Sequence, residues 1–288
     1  MIRFFLAFSN RLYDLSDSDP LKYMKINLAG RTNLKDYFSE FIIFIKKQAS
    51  CSLFGGLMLF CLIVSKYVSV SGIYRYDLLF LIAVLVQIIL ITKKLETPRE
   101  VIAIIIFHVC AMTMEIFKTS PAVGSWSYPE PAFFAIATVP LFSGFLYSSV
   151  GSYMARAWRI NKFSFSALPK RSVLFFIGII IYANFFTNHF IIDLRWPIFI
   201  VVVAIFWKTK LRVQLTSKVY TIHPLVSNAL LALFVWFAEQ IGTFARAWVY
   251  PNQSVEWTPV PFHMFTSWYM LLIFSFVIIA LINQSKEA

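Results

Sequence analysis

Beyond residue 50 the chain is almost continuously apolar, broken into eight runs by short polar stretches: 51–68, 77–92, 101–118, 132–154, 172–191, 196–209, 224–244 and 262–282. In lipid a backbone amide finds no water, so each run must satisfy its own amides as a helix. The expected fold class is therefore all-α, a polytopic helical membrane protein of about eight transmembrane helices. Composition agrees: 59% of residues are hydrophobic, 14% are charged and mean hydropathy is +0.71. A soluble globular chain has no use for 31 Phe in 288 residues. The sixth run is the weakest. Its apolar part, Pro197 to Trp207, falls short of the roughly 20 residues that cross a bilayer. Lys208 and Lys210 can extend it by snorkelling to the interface.

Charge orients the runs. The loops after the second, fourth and sixth hold Lys93, Lys94 and Arg99, then Arg156, Arg159, Lys162, Lys170 and Arg171, then Lys208, Lys210, Arg212 and Lys218. The opposite loops hold only Arg75, Arg195 and Arg246, with Lys66 and Lys118 near helix ends. The positive-inside rule then puts both termini in the cytoplasm of a multi-pass inner (plasma) membrane protein. The net charge of +12 reads as loop orientation rather than as a nucleic-acid surface. Residues 1–49 are basic, with Phe38, Phe41, Ile42, Phe44 and Ile45 on one side, and read as an amphipathic lead-in on the cytoplasmic face. A single transmembrane domain follows over 50–283, with a short tail at 284–288. The apolar stretch Phe4 to Phe8 is too short for a secretory h-region. Cys51, Cys61 and Cys110 lie in or beside apolar runs without ligand spacing. With no HExxH and no Gly-rich phosphate loop either, no metal or cofactor is expected. The expected partners are membrane lipids.

One motif occurs twice. Met114 to Pro131, MEIFKTSPAVGSWSYPEP, and Ala238 to Asn252, AEQIGTFARAWVYPN, both read Glu, a Thr four residues on, then Trp-x-Tyr-Pro. Glu115 matches Glu239, Thr119 matches Thr243, Trp126 matches Trp248, and Tyr128 matches Tyr250. The Glu-to-Trp spacing is 11 in the first copy and 9 in the second. A Val-Pro pair follows each copy, Val139-Pro140 and Val260-Pro261. Four runs separate the two glutamates. An even number keeps orientation, so the halves, about 50–160 and 161–283, are expected to form a parallel repeat about an axis along the membrane normal.

Glu115 and Glu239 lie late in apolar helices, roughly one turn from the outer interface. An ionisable group there normally faces the bundle interior or a wet cavity. An apolar environment disfavours the charged carboxyl, so such a group can keep its proton and act as a general acid. The bland alternative is local pairing, Glu115 with Lys118 and Glu239 with Arg246. His108 lies seven residues before Glu115, about 20° off the same stripe, and Asn228 lies eleven before Glu239 with a similar offset. Both can face the same cavity, although a lone His in a span is more often a packing residue. Asn184 to His189, followed by Asp193-Leu-Arg-Trp196, is the other polar cluster. His189 and Asp193 have spacing for a metal or a proton relay; the plainer reading is an interfacial turn with Asp193 paired to Arg195. Small residues at Ser143, Gly144 and Ser148 to Ser152 permit close helix packing.

The chain resembles a bacterial family of integral membrane proteins, domain of unknown function 817, the YoaT-like proteins. The resemblance runs from about residue 45 to 282. It rests on Tyr76-Asp-Leu-Leu-Phe80, Phe107-His108, Met114 to Thr119, Val123 to Pro131, Val139 to Phe145, Val150 to Tyr153, Ala155 to Trp158, Asn184 to Thr187, Asp193 to Trp196 and Ala238 to Asn252. It implies no activity. A shorter stretch, Glu115 through Gly124-x-Trp-x-Tyr128 to Val139-Pro140, is similar to membrane carotenoid-biosynthesis proteins of the hydratase and lycopene-cyclase type, with Lys118 and Ser125 departing from the pattern. That likeness implies a membrane acid protonating an isoprenoid or lipid-like substrate. On this reading Glu115 and Glu239, with His108, carry acid–base chemistry. Trp126, Tyr128, Trp248, Tyr250, Thr119, Thr243, Asn184 and Asn228 would line the substrate cavity. The alternatives are a proton- or cation-coupled transporter or channel using the same glutamates, and a structural or accessory membrane protein.

Overall fold

The computed structural model describes residues 34–215 and 218–284. The first 33 residues of the expected amphipathic lead-in, and most of the tail at 284–288, lie outside the described residues. Among those described, nine α-helices carry the fold: α1 (Leu34–Cys51), α2 (Leu53–Tyr67), α3 (Arg75–Thr92), α4 (Pro98–Lys118), α5 (Phe142–Ile160), α6 (Arg171–Thr187), α7 (Arg195–Phe206), α8 (Pro224–Phe244) and α9 (Met264–Gln284). Four of them, α3, α4, α8 and α9, are long and apolar enough to cross a membrane. α1 and α2 add a fifth if taken as one broken span, bent by 71°. α6 and α7 are apolar but shorter.

The fold is inverted relative to a water-soluble bundle. α4 exposes Ile102, Ile105, Ile106 and Val109, and α3 exposes Leu81, Leu85, Ile88 and Ile89. These are apolar stripes at helical spacing, facing outward where a soluble helix would be charged. The polar face points inward instead. α5 buries Ser143, Ser148 and Ser152 together with Gly144 and Gly151, and α4 packs on that face. A Cβ on Gly151 would stand 2.4 Å from the Phe107 ring, so the close approach needs glycine there. α9 packs on α6 and α8, and Leu272, Ile273, Val277 and Ala280 are the inner face of the largest apolar cluster.

Both motif helices begin with Pro at the first position. Thr97 caps α4 in a reciprocal box with Glu100. At the start of α8 the His223 side chain accepts from the Leu225 amide. Both patterns satisfy amides that the first turn leaves open.

The expectation of a purely helical chain needs two amendments. The fourth run, expected as helix from 132 to 154, is helical only from Phe142, and its helix continues to Ile160. Residues before it form a hairpin, β1 (Ala135–Ile136) with β2 (Val139–Pro140). The buried Asp77 carboxylate accepts the amides of Phe133 (2.9 Å) and Phe134 (2.8 Å), withholding them from a helix. Pro140 has no amide and keeps Val139 extended. At the opposite end a three-stranded antiparallel sheet forms in the order β3 (Ser164–Ser166), β4 (Lys210–Gln214), β5 (Val219–Ile222). β4 alternates, with Leu211 and Val213 buried and Arg212 exposed. Lys47 of α1 donates to Gln214 O at 2.9 Å, tying the lead-in helix to this basic end.

Candidate functional site: two glutamates under paired loops

Glu115 and Glu239 sit near the C-terminal ends of α4 and α8, each buried to 2% exposure or less. Glu115 Oε2 accepts from the Tyr128 hydroxyl (2.7 Å) and the Trp126 indole (2.9 Å), and the Tyr147 hydroxyl stands beside this carboxyl. Glu239 accepts from the Tyr250 hydroxyl on one oxygen and the Trp268 indole on the other. Neither carboxylate has a cation in salt-bridge range among the described residues. The local pairing left open by the sequence does not form. Lys118 turns to His189 Nε2 at 2.7 Å. Arg246 reaches only the carbonyls of Gln253 and Ser254.

The loops that carry the donors pair with each other. Ser127 and Val249, the central residues of the two Trp-x-Tyr triplets, exchange both N–H···O bonds at 2.9 Å in an antiparallel bridge. The bridge puts both loops at one end of the bundle. The Trp126 and Tyr250 rings meet edge to face at 6.3 Å, and Tyr147 lies against Trp268 at 6.0 Å. Aromatic donors therefore form a continuous layer between the two carboxyl groups.

The tryptophans of the two copies differ in role. Trp248 does not reach Glu239. Its ring lies on Gly242, where a Cβ would stand 2.0 Å away. The second loop is two residues shorter, so its Trp folds back onto its own helix. The vacated donor position is taken by Trp268 of α9. The remaining expected site residues are placed as follows. Thr119 and Thr243 bond back to the carbonyls of Glu115 (2.8 Å) and Glu239 (3.0 Å), closing the helix ends rather than lining a cavity. His108 is two turns deeper on α4, its ring over Gly144 and edge-on to Phe145 at 4.8 Å, away from both carboxyls. Asn228 is buried three turns before Glu239, about 16 Å along α8. Asn184 joins α6 to α7 through Asp193 (3.1 Å) and the Leu194 amide (3.1 Å). Asp193 also pairs with Arg195 at 3.0 Å, the plainer of the two readings of that cluster. No group of three potential metal ligands occurs among the described residues.

Tyr147 and Trp268 escaped the sequence reading, yet a signal was present. Each stands seven residues after the proline of its Val-Pro pair, Pro140 and Pro261. Besides standing at the carboxyls, Trp268 bonded to Glu239 and Tyr147 beside Glu115, both line a narrow apolar crevice of about 20 Å³ between α4, α5, α6 and α9, walled also by Phe107, Ala111, Val150 and Leu271.

The family model described as "Protein of unknown function (DUF817)" matches residues 40–276. "Uncharacterized protein YoaT" of Bacillus subtilis (strain 168) is 38% identical over 241 residues, covering 84% of this chain and 90% of that protein. No solved structure matches. With the family model spanning most of the chain and this relative aligned over nearly all of its own length, the chain belongs to the DUF817 family of YoaT-like proteins.

Proposed function

We propose that the chain is a multi-pass inner-membrane protein of eight spans, α2 to α9, with both termini cytoplasmic. On this reading it is built from two parallel four-helix halves, 50–160 and 161–283, and Glu115 and Glu239 form a paired acid–base site for an apolar lipid or isoprenoid substrate. The eight helices follow the eight apolar runs in order. The pairing of the two motif loops supports parallel halves, since an inverted repeat would carry them to opposite faces. The topology predicts that Ala122→Cys, in an exposed part of the first motif loop and in a cysteine-free background, is labelled from outside intact cells. Labelling only after permeabilisation would reverse the orientation.

The observation that carries the functional reading is the setting of the carboxyls. They are buried, their hydrogen-bond donors among the described residues are neutral aromatics, and Trp268 with the neighbouring Tyr147 walls an apolar crevice. A carboxyl so placed can deliver its proton to an alkene carbon. The π pair becomes the new C–H bond and the neighbouring carbon becomes cationic, facing aromatic rings that stabilise it. The partner carboxylate then removes a proton from an adjacent carbon and restores a double bond. At about 20 Å³ the crevice is too small for a lipid chain, so substrate binding requires α6 and α9 to part from α4 and α5. The test fills the crevice. Ala111→Leu should displace an apolar lipid that the purified wild-type protein retains, read by solvent extraction and mass spectrometry. Equal retention in both proteins would exclude the crevice as the binding site.

The second reading, proton- or cation-coupled transport, draws on the same aromatic layer, in which Tyr250 stands within the field of both glutamates. Proton flux in proteoliposomes that Glu239→Gln abolishes would favour it over the enzyme.

A further inference from the structure

A second cavity, of about 270 Å³, opens at the end of the bundle that carries the motif loops. It lies between the α2–α3 connection, the start of α3 and the residues that follow α8. Lys66, Arg75 and Arg246 border it, with one carboxylate, Glu130. Arg75 is immobilised. It pairs with Glu130 at 2.6 Å and donates to Ser65 Oγ (3.0 Å) and to the carbonyls of Leu62 (3.2 Å) and Ala245 (2.9 Å). Lys66 donates to Phe244 O at 2.6 Å and lies 3.7 Å from the centre of that ring. Arg246 makes only long contacts to carbonyls of its own loop, at 3.5 and 3.2 Å. Neither Lys66 nor Arg246 has a carboxylate partner among the described residues, so the cavity holds two uncompensated positive charges.

Arg246 also differs from its counterpart in the first motif copy. Its φ is +55°, in the left-handed region. Gly124, the residue two before Trp126 in the first copy, has φ +56°. Arg246 is likewise two before Trp248. The chain thus places arginine in a conformation that its other copy gives to glycine, and a Cβ there is disfavoured. Lys94 and Lys162, just past the ends of α3 and α5, take the same left-handed conformation, so Arg246 is set apart by the cavity that it borders and not by its φ alone.

We propose that this cavity binds a phosphate group, with Arg75 as its fixed wall and Lys66 and Arg246 as the cations that neutralise it. A tetrahedral anion with several acceptor oxygens suits the two uncompensated cations Lys66 and Arg246, and the Arg246 guanidinium can hold it through two parallel bonds. The exposed apolar residues Val68, Val70 and Ile73 on the rim admit a phospholipid headgroup, and a free phosphate offers the same chemistry. The site lies outside the glutamate pair and does not rest on the acid–base reading.

The test is thermal melting of the purified full chain. Inorganic phosphate is added in neutral detergent against chloride at matched ionic strength. Separately, phosphatidylcholine nanodiscs are compared with and without phosphatidic acid. The wild type should gain about 3 °C or more with at least one probe. A gain with inorganic phosphate identifies a free phosphate group as sufficient; a gain with phosphatidic acid alone identifies the headgroup. Arg246→Gly should melt at or above the wild type without anion, since it relieves the backbone, and should lose the gain. Lys66→Gln, at an exposed position, should fold and lose at least half of the gain; it decides the matter if Arg246→Gly does not fold. E115Q and E239Q should keep the gain in full. No gain in the wild type, or a full gain in Arg246→Gly or in Lys66→Gln, would overturn the proposal. So would a loss of several degrees in Arg246→Gly without anion, which would make Arg246 a structural clamp.

Discussion

Gly242→Ala is expected to destabilise the protein by about 3 kcal/mol, whereas Gly56→Ala is expected to be neutral or to stabilise by up to about 1 kcal/mol. The two glycines are both helical and differ in what a methyl group would meet. At Gly56 nothing lies within 4 Å of an added Cβ. At Gly242 it would stand 2.0 Å from the Trp248 ring. The indole has little freedom to withdraw. Val249, next to it, is bonded in both directions to Ser127, and the Ala247 amide donates to Gly242 O itself at 3.0 Å. Forcing the ring away would therefore pull on the bridge between the two loops and on Tyr250, which holds Glu239. The expected signature is a lowered melting temperature together with a loosened second loop, seen as faster amide exchange at Val249 and Tyr250. A G242A protein that melts like the wild type would mean that Trp248 is not packed as described.

Glu115→Gln and Glu239→Gln are expected to leave the fold within a few degrees of the wild-type melting temperature and to abolish retention of an apolar ligand. The hydrogen-bond inventory explains why the fold survives. At position 115 the amide oxygen can take the place of Oε2 and keep both Trp126 and Tyr128, while the amide nitrogen faces the Tyr147 hydroxyl, which can accept. At position 239 the amide oxygen must face the Trp268 indole, which can only donate, and the Tyr250 hydroxyl rotates to accept from the nitrogen. Both substitutions remove the titrating proton and keep the packing. Alanine is a poorer probe, because it strands two or three buried donors at about 1–3 kcal/mol each.

The helices were legible because long apolar runs are a strong signal: each of the eight runs holds a helix among the described residues, α2 to α9, of which four, or five with the bent α1–α2 pair, are long and apolar enough to cross a membrane. The doubled Glu-to-Tyr-Pro motif likewise located the carboxyls and the Tyr128 and Tyr250 hydroxyls that hold them. What was not legible depended on tertiary partners. The stretch Ala132 to Val139 is largely apolar, and the Asp77 carboxylate, more than 50 residues away in sequence, takes the Phe133 and Phe134 amides that a helix would need. The matching of Trp126 with Trp248 misled, because a loop shorter by two residues changes which side chain can reach the carboxyl. Tyr147 and Trp268 were missed because the repeat was followed only as far as the Val-Pro pairs. His108 and Asn228 lie on the appropriate helices but two and three turns too deep, since angular position on a helix says nothing of depth. Arg75, which knits α2 to the loop after α8, drew notice only as a charge to be counted.

Whether Glu115 and Glu239 act together on an apolar ligand is decided by native mass spectrometry of the purified wild type beside the E115Q/E239Q double variant, with both melting curves recorded. The expected result is a retained lipid on the wild type, its loss from the double variant, and melting temperatures within a few degrees of each other. A double variant that melts early yet keeps the lipid, or a wild type that carries none, would contradict it and leave the two glutamates as structural anchors for the paired loops.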